Sequence, residues 1–125
     1  MIIIDPVNYT ITLPRGDTGS FTVSESSGHV FGADDRAVFT VRDNGGAAVI
    51  ERYYALNDDE LGNGKFTVSF SNADTDELPV GTYTWDVRYV IHPYYDAAGR
   101  IVSGDRVETP RQPIMLTLLA TVGTV

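Results

Sequence analysis

Polar and apolar residues alternate from Thr82 to Tyr89. Tyr83, Trp85, Val87 and Tyr89 fall on one side, and Thr82, Thr84, Asp86 and Arg88 on the other. A period of two over this length predicts a strand with one buried and one solvated face, running on through Ile91. Pro79 and Gly81 set the turn that feeds it. The same pattern recurs along the chain. Tyr9–Leu13 reads as a first strand, ended by the Pro14–Gly19 stretch, and Ser20–Val23 resumes with Phe21 and Val23 inward. Ser24 to Asp35 is a polar loop, with Val30 and Phe31 as candidates to plug it onto the core. Arg36–Val41 and Ala48–Tyr54 form a hairpin around Asp43-Asn-Gly-Gly46, where Asn44-Gly45 supplies the positive φ that a tight turn needs. Gly64–Phe70 points Phe66, Val68 and Phe70 inward. The stretch 71–77 predicts one helical turn, because Ser71 or Asn72 provides a cap and acidic residues follow at the positive end. His92 to Gly99 reads as a turn, with the His92 ring packed at the strand end. Ile101–Glu108 is a weaker strand, interrupted or placed at an edge by Pro110 and Pro113. Ile114–Leu118 closes the fold.

Seven to eight short strands, with turn signals roughly every 8–12 residues, predict an all-β, antiparallel sandwich in a single domain spanning residues 1–125. The expected core includes Ile11, Phe21, Phe39, Val41, Phe66, Val68, Tyr83, Trp85 and Val87. In the closing strand, strict alternation leaves Met115 and Leu119 facing outward, which asks for a covering surface.

Composition narrows the function classes. The 125 residues carry 17 acidic against 9 basic side chains, a net charge of −8. That sign opposes nucleic-acid binding, which neutralises phosphates, and association with an anionic membrane surface. The chain has no cysteine, so disulfides, thiolate metal sites and thiol nucleophiles are excluded. Met1–Ile4 is apolar but stops at Asp5-Pro6, and is not expected to act as a signal peptide. No apolar run approaches the length that spans a bilayer.

No catalytic constellation emerges. His29 and His92 are the two histidines, and no G-x-S-x-G elbow accompanies them. Three acidic clusters occur, at Asp34 and Asp35, at Asp58, Asp59 and Glu60, and at Asp74, Asp76 and Glu77. None follows the spacing of a calcium loop, and no aromatic sugar platform flanks them as a glycosidase requires. They read as solvated loops, and neither metal nor cofactor is expected. Arg15-Gly16-Asp17 spells an adhesion tripeptide but reads as a turn, with Gly16 permitting the tight geometry. The tyrosines carry more information. Adjacent tyrosines in a strand face opposite ways, so one of Tyr53 and Tyr54 is expected outside. Tyr94 and Tyr95 follow from turn chemistry as loop residues at the surface. Exposed tyrosines favour interfaces. The candidate interface residues are therefore Tyr54, Tyr94, Tyr95, Met115 and Leu119, serving docking or a homo-oligomer rather than catalysis.

Three segments taken together carry a family resemblance. They are Ile11-Thr-Leu-Pro-Arg-Gly-Asp-Thr-Gly-Ser-Phe-Thr-Val23, Ala37-Val-Phe-Thr-Val-Arg-Asp43 and Ala73-Asp-Thr-Asp-Glu-Leu-Pro-Val-Gly-Thr-Tyr-Thr-Trp-Asp-Val87. In this order they resemble the immunoglobulin-like β-sandwich domains of tailed-phage and prophage tail or baseplate structural proteins, most closely the N-terminal domain of baseplate upper proteins. The resemblance covers residues 9 to 90 and is loose from Pro93 onward. It implies an architectural or adaptor function without chemistry, other tail or baseplate subunits as partners, and a location in the virion tail or, for a prophage product, the bacterial cytoplasm. The alternative reading is a carbohydrate- or receptor-binding module on the same fold, since fold alone does not separate the two.

Overall fold

A computed structural model describes residues 2–5, 9–24, 30–58, 62–108 and 114–119, with the side chains of residues 58, 62, 106–108 and 119 also outside the description. The expectations for His29, Asp59, Glu60, Pro110, Pro113 and the side chains of Asp58 and Leu119 thus lie outside the described residues. Within them the chain is mostly β. The strands are β1 (Ile3–Ile4), β2 (Ile11–Pro14), β3 (Gly19–Ser24), β4 (Arg36–Arg42), β5 (Ala48–Ala55), β6 (Asn57–Asp58), β7 (Gly62–Asn63), β8 (Lys65–Phe70), β9 (Gly81–Tyr95), β10 (Ile101–Glu108) and β11 (Ile114–Leu119), with one helix, α1 (Asn72–Asp76). Eight of these lie where alternation predicts them. The other three, β1, β6 and β7, are two-residue pairings too short to leave a periodic signal.

The large sheet has the order β1-β2-β11-β9-β4-β5, with β10 also paired to β9; β3 pairs with β8, and β6 with β7. The sheet departs from a wholly antiparallel plan at one ladder, because β2 and β11 run parallel, from Leu116 opposite Ile11 to Leu119 opposite Pro14. A parallel pair needs a long connection, and almost the whole domain lies between these two strands.

The β3–β8 ribbon packs on one face of the large sheet through an aromatic cluster. Phe21 meets Trp85 and Phe39 at ring-centroid distances of 5.9 and 6.2 Å, and Phe39 meets Trp85 and Phe70 at 5.7 and 6.0 Å. Ile11, Phe39, Val41, Phe66, Val68, Tyr83, Trp85 and Val87 are buried there, with Phe21 partly so. In β4, Ala37, Phe39 and Val41 join this core, while Val38 and Thr40 are buried on the opposite face. Of the two plug candidates only Phe31 serves. It is buried, with its ring 5.8 Å from Tyr89, whereas Val30 is 80% exposed.

Two hairpins share one turn. The N–H of Gly46 donates to the Asp43 carbonyl (3.0 Å), and that of Gly99 to the Asp96 carbonyl (3.1 Å). In each, the aspartate Oδ1 accepts two further amides, from Gly45 and Ala47 or from Ala98 and Arg100. Positive φ falls on Gly46 (85°) and Gly99 (81°), and not on Asn44-Gly45, because the loop is longer than a two-residue turn and ends in a left-handed glycine.

The Arg15-Gly16-Asp17 tripeptide is a turn, with the Asp17 N–H on the Pro14 carbonyl. The Gly16 N–H also donates to Oγ1 of buried Thr75 (2.9 Å), which docks the turn on α1. Among the described residues no helix is long and apolar enough to cross a membrane.

Candidate functional site

The fifteen-residue β9 outruns its neighbour β4. Their pairing ends at Arg36 opposite Val90, whereas the β9–β10 pairing continues to Ile101 opposite Tyr95. Past Val90, β9 therefore pairs only with β10 among the described residues, in a hairpin whose tip reaches back to β5. Tyr94 and Tyr95 lie in this strand rather than in a loop, which corrects the sequence expectation. Pro93 lacks an N–H, but this end of β9 is paired along a single edge among the described residues, where a proline is tolerated.

His92 makes the bend. Its φ is 50°, uncommon for a residue with a side chain. Its N–H donates to Asp35 Oδ1 (3.0 Å), and Asp35 Oδ2 accepts the Gly32 N–H (2.7 Å). Asp35 is 6% exposed, so it is a buried bracket holding the bend and not a solvated loop residue. The His92 ring is exposed rather than packed at a strand end, and its Nδ1 lies 2.9 Å from Asp105 Oδ2. The register places Asp105 between Gly104, opposite Pro93, and Arg106, opposite Ile91, and hence across from His92.

The Tyr94 hydroxyl donates to the other oxygen of Asp105 (2.5 Å), and the His92 and Tyr94 rings meet edge to face at 5.3 Å. The Tyr94 hydrogen bond, followed by that from His92, holds the Asp105 carboxyl below its ordinary value. The same bond pushes the Tyr94 hydroxyl up.

Beside this trio is an open, polar cleft of about 320 Å³ lined by Asp34, Arg36, His92, Pro93 and Tyr95. Arg36 Nη1 donates to the carbonyls of Ala33 (2.8 Å) and Asp35 (2.9 Å). The hairpin tip is tied to β5: the Ile101 N–H donates to the Tyr53 hydroxyl (2.9 Å), which itself donates to Glu51 (3.0 Å), and Arg100 reaches Glu51 at 3.5 Å.

The interface candidates separate into distinct places. Tyr94 and Tyr95 are 47% and 49% exposed, and Val102 joins them on the hairpin at 63%. Tyr54 is elsewhere, half-buried and stacked on Phe66 at 5.3 Å and 22°. Its neighbour Tyr53 is half-buried as well, so neither residue of that pair stands fully outside. Met115 is half-exposed opposite Thr84, toward the other end of β9. The backbone of Leu119 pairs with Pro14.

Of the acidic clusters, Asp34 is exposed at the cleft, Asp35 is buried, and Asp74 pairs with Arg52. No group of three or more metal-ligating side chains occurs among the described residues. Sequence reading took Asp35 for a solvated loop residue and gave Arg36 and Asp105 no part in a site. The signal for Asp105 was the Asp96-x-x-Gly99 turn, about which His92 and Asp105 stand at facing positions. Comparison with family models, curated proteins and solved structures finds no match to the chain.

Proposed function

We propose that this chain is a non-enzymatic structural or adaptor domain, an immunoglobulin-like β-sandwich that joins neighbouring subunits of a phage or prophage tail or baseplate. The observation that carries the reading is the β9–β10 hairpin, which past Val90 pairs along one edge only and presents Tyr94, Tyr95 and Val102 to solvent. Tyrosines supply apolar area with a hydroxyl that tolerates water, which suits a contact made and sealed during assembly. Asp105 and the ties to β5 fix the arm's shape before a partner arrives, which lowers the ordering cost of docking. The β3–β8 ribbon facing the large sheet across an aromatic core supports the sandwich reading. The net charge of −8 supports protein partners over nucleic acid or an anionic membrane. The partners are other tail or baseplate subunits or a second copy of this chain, in a virion or, before assembly, in the bacterial cytoplasm. The test is Tyr94→Ser with Tyr95→Ser, followed by sedimentation and by incorporation into particles. Loss of association or incorporation with an intact fold is expected. Unchanged assembly in both measurements would remove the hairpin from the interface and leave the closing strand with Met115 as the remaining surface.

A further inference from the structure

The cleft beside His92 carries polar wall groups, Asp34, Arg36 and the His92 ring, that the assembly role does not use. Arg36 is pinned by two backbone carbonyls through one nitrogen, which leaves its remaining N–H groups to face a ligand. His92 is fixed twice, by Asp35 at its backbone and by Asp105 at Nδ1, so its Nε2 is presented in a set direction. Exposed Asp34, buried Pro93 and the half-exposed Tyr95 complete the lining.

We infer that this cleft binds a neutral saccharide. The charges select against ions: the lining sets one carboxylate, Asp34, against one guanidinium, Arg36, so an ion of either sign meets a like charge there. A neutral sugar ring meets both constraints. Its hydroxyls donate to Asp34 and accept from Arg36, and its apolar face lies on Tyr95. The volume of about 320 Å³ is near the lower end of the roughly 300–1,000 Å³ usual for small-molecule sites, which suits a terminal sugar unit rather than a long chain. Most of the wall is locked before a ligand enters, which reduces the cost of binding.

The test is titration of the ¹⁵N-labelled full chain with the methyl glycosides of glucose, galactose, mannose and N-acetylglucosamine, with glucuronate as an anionic probe. At least one neutral glycoside is expected to shift the amides of Asp34 to Arg36 and of His92, Tyr94 and Tyr95 saturably, with a Kd on the order of millimolar. Tyr95→Ala and Asp34→Ala, both at exposed positions, are each expected to weaken binding about tenfold. Absence of shifts, shifts confined to other surfaces, affinity unchanged in both variants, or binding of glucuronate alone would overturn the inference. Because the titration reads the wild-type chain, failure of the assembly reading in sedimentation leaves this outcome independent.

Discussion

Trp85 is the residue on which the two facing layers converge. Its ring contacts Phe21 from the ribbon and Phe39 from the next strand, and its Nε1 donates to the Tyr9 carbonyl at 3.3 Å. Truncation removes a large buried ring and leaves a cavity that rigid strands cannot collapse around. Trp85→Ala is therefore expected to cost about 3–5 kcal/mol. Calorimetry would show this as a fall in Tm of more than about 10 °C. A Tm within a few degrees of the parent would mean that the packing around Trp85 is misassigned. The inward position of Trp85 was legible from alternation alone. The fates of Asp34 and Asp35 were not: the two are adjacent and chemically alike, yet one is at the rim of the cleft and the other holds the His92 amide from within. The Gly32 amide that Asp35 accepts leaves no mark in the sequence, and the His92 amide is brought by a strand far along the chain.

At the scale of elements, α1 is secured from outside itself. The Ser71 N–H donates to Asp74 Oδ2 (2.7 Å), closing the first turn, and Asp74 also pairs with Arg52 of β5, whose guanidinium donates to the Ser69 carbonyl. Burial alone would raise the Asp74 carboxyl, but the Ser71 amide and the Arg52 guanidinium outweigh it and hold the group below its ordinary value of 3.8. A depressed carboxylate adds stability above its unfolded pKa and loses it as pH falls through the folded one. The urea midpoint is expected to hold above about pH 5 and to fall on acidification below about pH 4. Asp74→Ala is expected to cost about 1–2 kcal/mol at neutral pH, from the lost cap and a charged hydrogen bond reduced by the solvent exposure of Arg52, and to flatten that acid limb. A variant as acid-sensitive as the parent would remove Asp74 from the transition. The helical turn and eight of the strands were legible because caps and period-two patterns are local. The hairpin through Pro93 was not, because the proline signal there says turn and only the single-edge pairing of β9 makes it a strand. The Asp-x-x-Gly spacing common to both hairpins was present in the sequence, but was read at one of them as an Asn-Gly turn.

For the whole molecule, four of the eight strand pairings among the described residues, β2–β11, β3–β8, β4–β9 and β9–β11, join segments distant in sequence, and β9 joins elements from β4 to β11. Such non-local pairing predicts folding on the millisecond-to-second scale. The parallel ladder between β2 and β11 also bears on mechanics. The start of a strand and the end of its parallel neighbour lie at opposite ends of their shared ladder, so tension applied at Ile11 and Leu119 draws the two strands lengthwise past each other and strains every rung together. Gly81 and Leu118 instead face each other at one end of the antiparallel β9–β11 ladder, and tension there opens rungs in succession. Optical-trap pulling is therefore expected to give a higher rupture force with handles at the start of β2 and the end of β11 than with handles at the start of β9 and the end of β11. Equal forces would show that the parallel ladder is not the mechanical clamp. A part so built resists stretching along its chain while remaining easy to peel from the side, a property suited to a component threaded into a load-bearing assembly.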